Sequence, residues 1–307
     1  MNLSPDYLIE RKRNKKQLAK WKLFSLLLLI LILIIFVGKN YSSELNVAST
    51  PLQGNDYIGR IRVNDIIADD LDVIENLEKI ADNKKVKALI VHINSPGGSV
   101  VGSEMLYNSI SKLSKNIPIA VVMGSVAASG GYMTALAGDY IIAHNGTITG
   151  SIGVLMQSAE ITELADTIGV KFTNFKSAEL KANPSFTEKL TPEAYQATMD
   201  SIYEVYDYFI ELVAARRNLD IEYVKKLADG RIYSGRQALD LKLIDAIGNE
   251  DTARNWLEKE KGIPEKLLVR DIKLKPHEKF IDILLRDFNS TVSNLINSSF
   301  NGLKSIM

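Results

Sequence analysis

Two nearly unbroken apolar runs, "KALIVHIN" (87–94) and "IPIAVVMG" (117–124), constrain this chain most. Neither alternates apolar with polar residues. They therefore read as strands covered on both faces, the pattern of a parallel sheet flanked by helices. The intervening sequence agrees. "DDLDVIENLEKIAD" (69–82) spaces Leu71, Ile74, Leu77 and Ala81 along one helical face, and "GSEMLYNSISKLSK" (102–115) reads as a second helix. "YIGRIRV" (57–63) reads as a further strand. Parallel neighbours need a crossover, and a helix between strands supplies it. The longest helix is expected over 191–218, with Thr191 as N-cap, Pro192 at the first helical position and Glu193 in the first turn. There is no internal repeat. The body is thus an α/β domain with a largely parallel sheet.

Both apolar runs lead into glycine-containing turns. In "INSPGGSV" (93–100), Pro96 fixes one backbone angle, while Gly97 and Gly98 let the chain expose amide N–H groups at a strand end. Such groups can hold a developing oxyanion. In "GSVAASGG" (124–131), Ser129 sits between two alanines and two glycines, which leaves room for another molecule's backbone. A serine there can use the next residue's N–H as a second oxyanion donor. Either turn alone is equally well a tight strand-to-helix connection. Together, about thirty residues apart on sequential strand ends, they point to a nucleophile and its oxyanion hole.

A serine hydroxyl needs a base to take its proton. The chain has three histidines. His92 lies inside an apolar strand and reads as a packed core residue. His277, in "KLKPHEK", reads as solvated, which leaves His144 as the histidine candidate. A lysine can serve if it is neutral, and burial away from water favours the neutral form. "FKSAELKANPSF" (175–186) offers Lys176 and Lys181. The residues alone do not choose among these three.

The formal net charge of zero hides an asymmetry. Residues 1–22 carry seven bases and two acids, so the rest of the chain is mildly acidic and unsuited to nucleic acid. There is no cysteine, which excludes disulfides, thiolate metal sites and a cysteine nucleophile. After the basic stretch, Leu23–Gly38 has no charge. As a helix it spans about 24 Å, short of a bilayer core of about 30 Å, and Trp21, Lys22 and Lys39 can extend it at the interfaces. A cleaved signal peptide has the same outline, but "KNYSSELNVAST" is a poor cleavage site. An uncleaved anchor at 23–38 is expected, with residues 1–22 cytoplasmic and the body outside. Residues 39–53 read as a linker, 54–262 as the catalytic domain and 263–307 as a C-terminal segment. In that segment Ile281, Leu284, Leu285, Phe288, Val292, Leu295, Ile296 and Phe300 form one apolar stripe. Its polar face lacks the bases of a membrane-surface helix, so packing on protein is expected.

Five motifs, "INSPGGSV", "MGSVAASGGYMTALAGDYIIA", "TGSIGV" (149–154), "FKSAELKANPSF" and "ADGRIYSGRQALDLKLIDAIG" (228–248), resemble signal peptide peptidase A in its short, single-domain form. The resemblance runs from about residue 55 to 260 with the motifs in order. It implies a Clp-protease-like (crotonase-like) spiral α/β fold, a serine–lysine dyad, a homo-oligomer, and cleavage of remnant signal peptides in the membrane. Carried over by motif, Ser129 is the nucleophile, Lys181 the base, and Ser151 a residue that orients the lysine. Gly97, Gly98 and Gly130 supply the oxyanion N–H groups, with the choice between Gly97 and Gly98 open. His144 then has no catalytic role. Substrates are expected to be extended apolar peptides. No cofactor or metal is expected, since there is no P-loop and no clustered His/Asp set. Two other readings are an acyl-CoA enzyme of the crotonase type, which places glycine N–H pairs alike, and a non-catalytic membrane scaffold. Labelling of Ser129 by a fluorophosphonate separates both from a peptidase.

Overall fold

The computed structural model describes residues 20–22, 25 and 56–274. The expected linker, the C-terminal stripe and nearly all of the apolar run 23–38 lie outside the described residues. Ser25 is helical, and its hydroxyl donates to the Trp21 carbonyl at 2.9 Å. Among the described residues no helix is long and apolar enough to cross a membrane.

The body alternates strand and helix. It begins β1 (Tyr57–Ile67), α1 (Leu71–Ala81), β2 (Val86–Gly98), α2 (Val100–Ser114), β3 (Ile119–Ala128), α3 (Gly130–Ala135), β4 (Tyr140–Ala143) and β5 (Ile148–Gly150). After a short helix α4 (Thr162–Thr167) come α5 (Pro192–Arg217), α6 (Ile221–Leu227), β6 (Ile232–Ser234), α7 (Gly235–Asp240), β7 (Ala246–Ile247), α8 (Glu250–Glu260) and β8 (Leu268–Asp271). Strands β1, β2 and β3 pair in parallel, as the unbroken apolar runs predict. Leu89, Ile90, Val91 and Ile93 of β2 are fully buried. Alternate residues face opposite sides. Leu89, Val91 and Ile93 join Leu77 of α1 and Ile110 of α2 in one core, while Ala88 and Ile90 meet Ala253 and Leu257 of α8 in another. Each leucine, isoleucine or valine among them contributes about 1.5–3 kcal/mol by leaving water.

The sheet is mixed. Its strand order is β6-β5-β3-β2-β1-β8, and only β5–β6 among these pairs is antiparallel. Strand β3 is shared: its first half pairs with β4 and its last residues pair with β5. The sheet also continues beyond residue 262, because β8 lies parallel to β1 and Leu274 is buried.

His92 departs from the core reading. Its side chain stays 29% exposed, with Nε2 2.7 Å from a Glu250 oxygen. The face that His92 shares with Ile90 is covered at this height by the first turn of α8, which brings a carboxylate rather than an apolar residue. Arg60 bridges Glu250 at 3.0 Å and Asp271 at 2.6 Å, tying β1, β8 and α8 together. Burial works against the Glu250 charge, but hydrogen bonds from Arg60 and His92 outweigh it and hold that carboxyl below its ordinary range. The hydrogen bond from Arg60 does the same for Asp271.

Candidate active site

Strand β3 ends in a conformation that L-residues rarely adopt. Ser129 has φ 52° and ψ −122°. Outlier backbone of this kind costs of order 1–3 kcal/mol and persists only where its surroundings over-determine it. Here they do. The Ser129 N–H donates to Gly150 O at 2.9 Å, and its carbonyl accepts from Met133 N at 2.9 Å as α3 begins. Ser129 is half-buried at the turn, so its hydroxyl is held at a reachable edge of a buried scaffold.

The neighbouring glycines are dictated by contact. A Cβ on Gly130 would lie 2.0 Å from Ser103 Oγ, so no side chain fits between α3 and α2. Gly97 has φ +105°, and a Cβ there would stand 2.8 Å from Gly130 N and 3.0 Å from Ser129 Cβ. The two glycine turns recognised in the sequence therefore meet. They do so because β2 and β3 are adjacent parallel strands, with Ser95 opposite Ala127. The structure also distinguishes the two glycines. Gly97 is buried and its N–H donates to Ser95 Oγ at 3.1 Å. Gly98 is exposed. Ser99 N donates to Ile67 O at 2.9 Å, and Gly98 N lies 3.4 Å from where a Cβ on Gly130 would stand.

Ser151 joins this group through register. Ala128 pairs with Gly150, so Ser129 and Ser151 follow side by side at the ends of β3 and β5. Ser151 has φ 49° and its N–H donates to Arg231 O at 2.8 Å. The motif around residue 231 thus braces the site from outside it, through β6. The sequence marked that motif but not its task, because the contact spans eighty residues.

Lys181 is in a different setting. It lies on 153–190, where α4 is the only helix or strand assigned. Its side chain is exposed, with no ion pair or side-chain hydrogen bond among the described residues. The structure brings Ser129, Ser151, Gly97, Gly98 and Gly130 together, but forms no hydrogen bond between Lys181 and Ser129 within the chain. Lys176, the other lysine candidate, is committed elsewhere: it pairs with Glu188 and donates to Glu179 O. That pairing lowers the Glu188 carboxyl. His144 is exposed, and its backbone N–H donates to Thr147 Oγ1. Among the described residues no group of His, Cys, Asp and Glu could hold a metal ion.

Comparison with known proteins gives the family. The model of peptidase family S49 matches residues 111–264, and that of Clp protease matches 59–149. A putative protease of Synechocystis is 42% identical over 190 residues, 62% of this chain and 69% of that one. A putative signal peptide peptidase SppA of Enterococcus faecium is 34% identical over 249 residues, 76% and 72% of the two chains. Protease 4 of Haemophilus influenzae is 35% identical over 227 residues, 74% of this chain and 36% of that protein. A Clp-protease-like α/β fold with a mixed sheet defines the class, and within it the chain belongs to peptidase family S49. It is a serine-type peptidase.

Proposed function

We propose that this chain is a membrane-anchored endopeptidase that clears remnant signal peptides and similar apolar peptides, with Ser129 as nucleophile and Lys181 as base. The observation that carries the reading is the Ser129 turn, strained in backbone and flanked by the Gly98 and Gly130 N–H groups. Neutral Lys181 takes the Ser129 Oγ proton as Oγ attacks a peptide carbonyl carbon. The carbonyl oxygen becomes an oxyanion and accepts from Gly98 N and Gly130 N. The intermediate collapses, the C–N bond breaks, and the leaving amine takes the proton from Lys181. Water then cleaves the acyl-enzyme by the same steps. Ser151 orients the lysine.

Lys181 reaches Ser129 from a neighbouring copy in this reading. Its segment presents Phe175 at 96% exposure, Leu155 at 84% and Phe186 at 58%, an apolar surface that needs cover. A homo-oligomer in which 153–190 of one copy lies over the Ser129 edge of the next supplies both the cover and the base. The apolar run 23–38 anchors the assembly, with the catalytic domain outside the cytoplasm. The name of the Enterococcus relative supports the substrate class.

The test mixes two inactive variants, Ser129→Ala and Lys181→Ala, after dissociation and reassembly. Recovery of turnover in the mixture is expected, because some interfaces then pair an intact serine with an intact lysine. No recovery would place both groups of a working site on one copy. Mass mapping of cut sites in a mixture of signal peptides tests the substrate.

A further inference from the structure

Ser95 is a fully buried hydroxyl that the mechanism above does not use. Its hydroxyl makes three hydrogen-bond contacts at one half of the proposed oxyanion hole, the longest to Gly97 O at 3.4 Å. It accepts from Gly97 N at 3.1 Å and donates to Asp65 O at 2.5 Å. The Asp65 carbonyl is placed for this by an irregularity in β1: Asp65 has φ 61°, and the register with β2 shifts between Asn64 and Ile66. The buried hydroxyl thus links a kink in one strand to the glycine turn of the next.

We infer that Ser95 is a positioning residue for the oxyanion hole. By engaging the Gly97 N–H it fixes the peptide plane preceding Gly97 and sets the turn at φ +105°. With that turn set, the next N–H, on exposed Gly98, points toward Gly130 and the carbonyl under attack. Without the hydroxyl, a buried Gly97 N–H and the Asp65 carbonyl lose their partner. The turn is then free to rotate until Gly97 N finds another acceptor, which carries Gly98 N out of line. The hydroxyl touches no substrate atom, so its effect is on the transition state, where the oxyanion forms, and not on peptide binding. This rests on the reading of Gly98 and Gly130 as oxyanion donors.

The test compares two buried hydroxyls with the same bonding pattern. Thr147 Oγ1 accepts from His144 N at 3.0 Å and donates to Gly124 O at 2.8 Å, away from the glycine turn. Ser95→Ala and Thr147→Val in the full-length protein therefore lose like bonds and are expected to lower the melting temperature alike. Only Ser95→Ala is expected to lower kcat, by about 10- to 100-fold with KM within about twofold on an apolar peptide amide. A peptide aldehyde adds the Ser129 O–H across its carbonyl and places the resulting oxygen in the hole. Its inhibition constant should rise in Ser95→Ala by the same factor as kcat falls. The matching peptide alcohol cannot form that adduct and should bind both forms equally.

Unchanged kcat in Ser95→Ala, or equal kcat losses in both variants, overturns the inference. If Ser95→Ala does not fold, Ser95→Cys decides: the thiol, slightly larger than the hydroxyl, fills the site but bonds weakly, and retained kcat there also overturns it. Fluorophosphonate labelling of the unsubstituted protein separates this failure from that of the site. If Ser129 is labelled and Ser95→Ala keeps its kcat, only the role of Ser95 falls. If Ser129 is not labelled and Ser129→Ala keeps turnover, the site reading falls and takes this inference with it.

Discussion

The end of β3 and the segment 153–190 carry the two halves of the proposed dyad, and they are built in opposite ways. Around Ser129, Ala127 and Gly130 are buried, backbone bonds tie the turn to β5 and α3, and the glycines are packed too closely to bear side chains. Around Lys181, most of the chain lies in loops and its large apolar side chains face outward. A nucleophile and an oxyanion hole depend on fixed geometry, which a buried sheet edge supplies. A lysine base needs a dry setting, which the isolated chain does not provide at Lys181. In the proposed mechanism this difference makes catalysis depend on assembly in one half of the site and not in the other.

The largest effects come from removing either reacting group. Ser129→Ala and Lys181→Ala are each expected to lower kcat by at least about 10⁴-fold, with oligomer size and melting temperature unchanged. A melting temperature that falls with Lys181→Ala breaks the contrast, since that side chain has no ion pair or side-chain hydrogen bond among the described residues to lose. Next is the rigid half. Gly97→Ala sets a Cβ against Gly130 N in a left-handed backbone, and a loss of about 10²–10³ in kcat is expected, like that of an oxyanion donor. Kinetics near those of the unsubstituted enzyme would show that the turn is not the hole.

The other half of the comparison is the proposed interface. Phe175→Asp places a charge in the apolar cover and should weaken assembly by about 10²-fold or more, seen by sedimentation across a dilution series. Turnover should fall with dilution in step, while the melting temperature of the dissociated chain stays that of the parent. Activity that survives dissociation would sever the link between assembly and the base.

Smaller effects concern the scaffold on the far side of the sheet. Glu250 and Asp271 have carboxyls held below their ordinary range by Arg60, with His92 adding to the effect at Glu250. Groups lowered in this way stabilise the fold fully above the unfolded values near 4, and the contribution is lost as pH falls through the folded values below that. Arg60→Ala should cost about 1 kcal/mol at neutral pH and flatten the acid limb of stability against pH below about 4. An unchanged acid limb would mean the network is not what acid breaks. The smallest effect is expected at His144→Ala, whose exposed ring has no part in the proposed mechanism, and kcat should stay within about twofold.

Much of this was legible in the chain itself. Unbroken apolar runs announce strands covered on both faces because a two-sided burial erases alternation; β2 starts one residue before its run, β3 starts two residues inside its run, and both extend four residues past the run's end. Thr191, Pro192 and Glu193 mark the start of α5 because unpaired N–H groups at a helix start select those residue types locally. The small residues around Ser129 and the Gly97–Gly98 pair mark turns for the same kind of local reason. The tertiary structure decided which turns meet. Only the β2–β3 register places Gly97 against Gly130, only β5 sets Ser151 beside Ser129, and the irregularity at Asp65 gives the Ser95 hydroxyl its short acceptor. It also moved His92 from the core into a hydrogen bond with Glu250, 158 residues away. Periodicity and turn chemistry act within a few residues and are written in the sequence, whereas register between distant strands is set by the packing of the whole sheet.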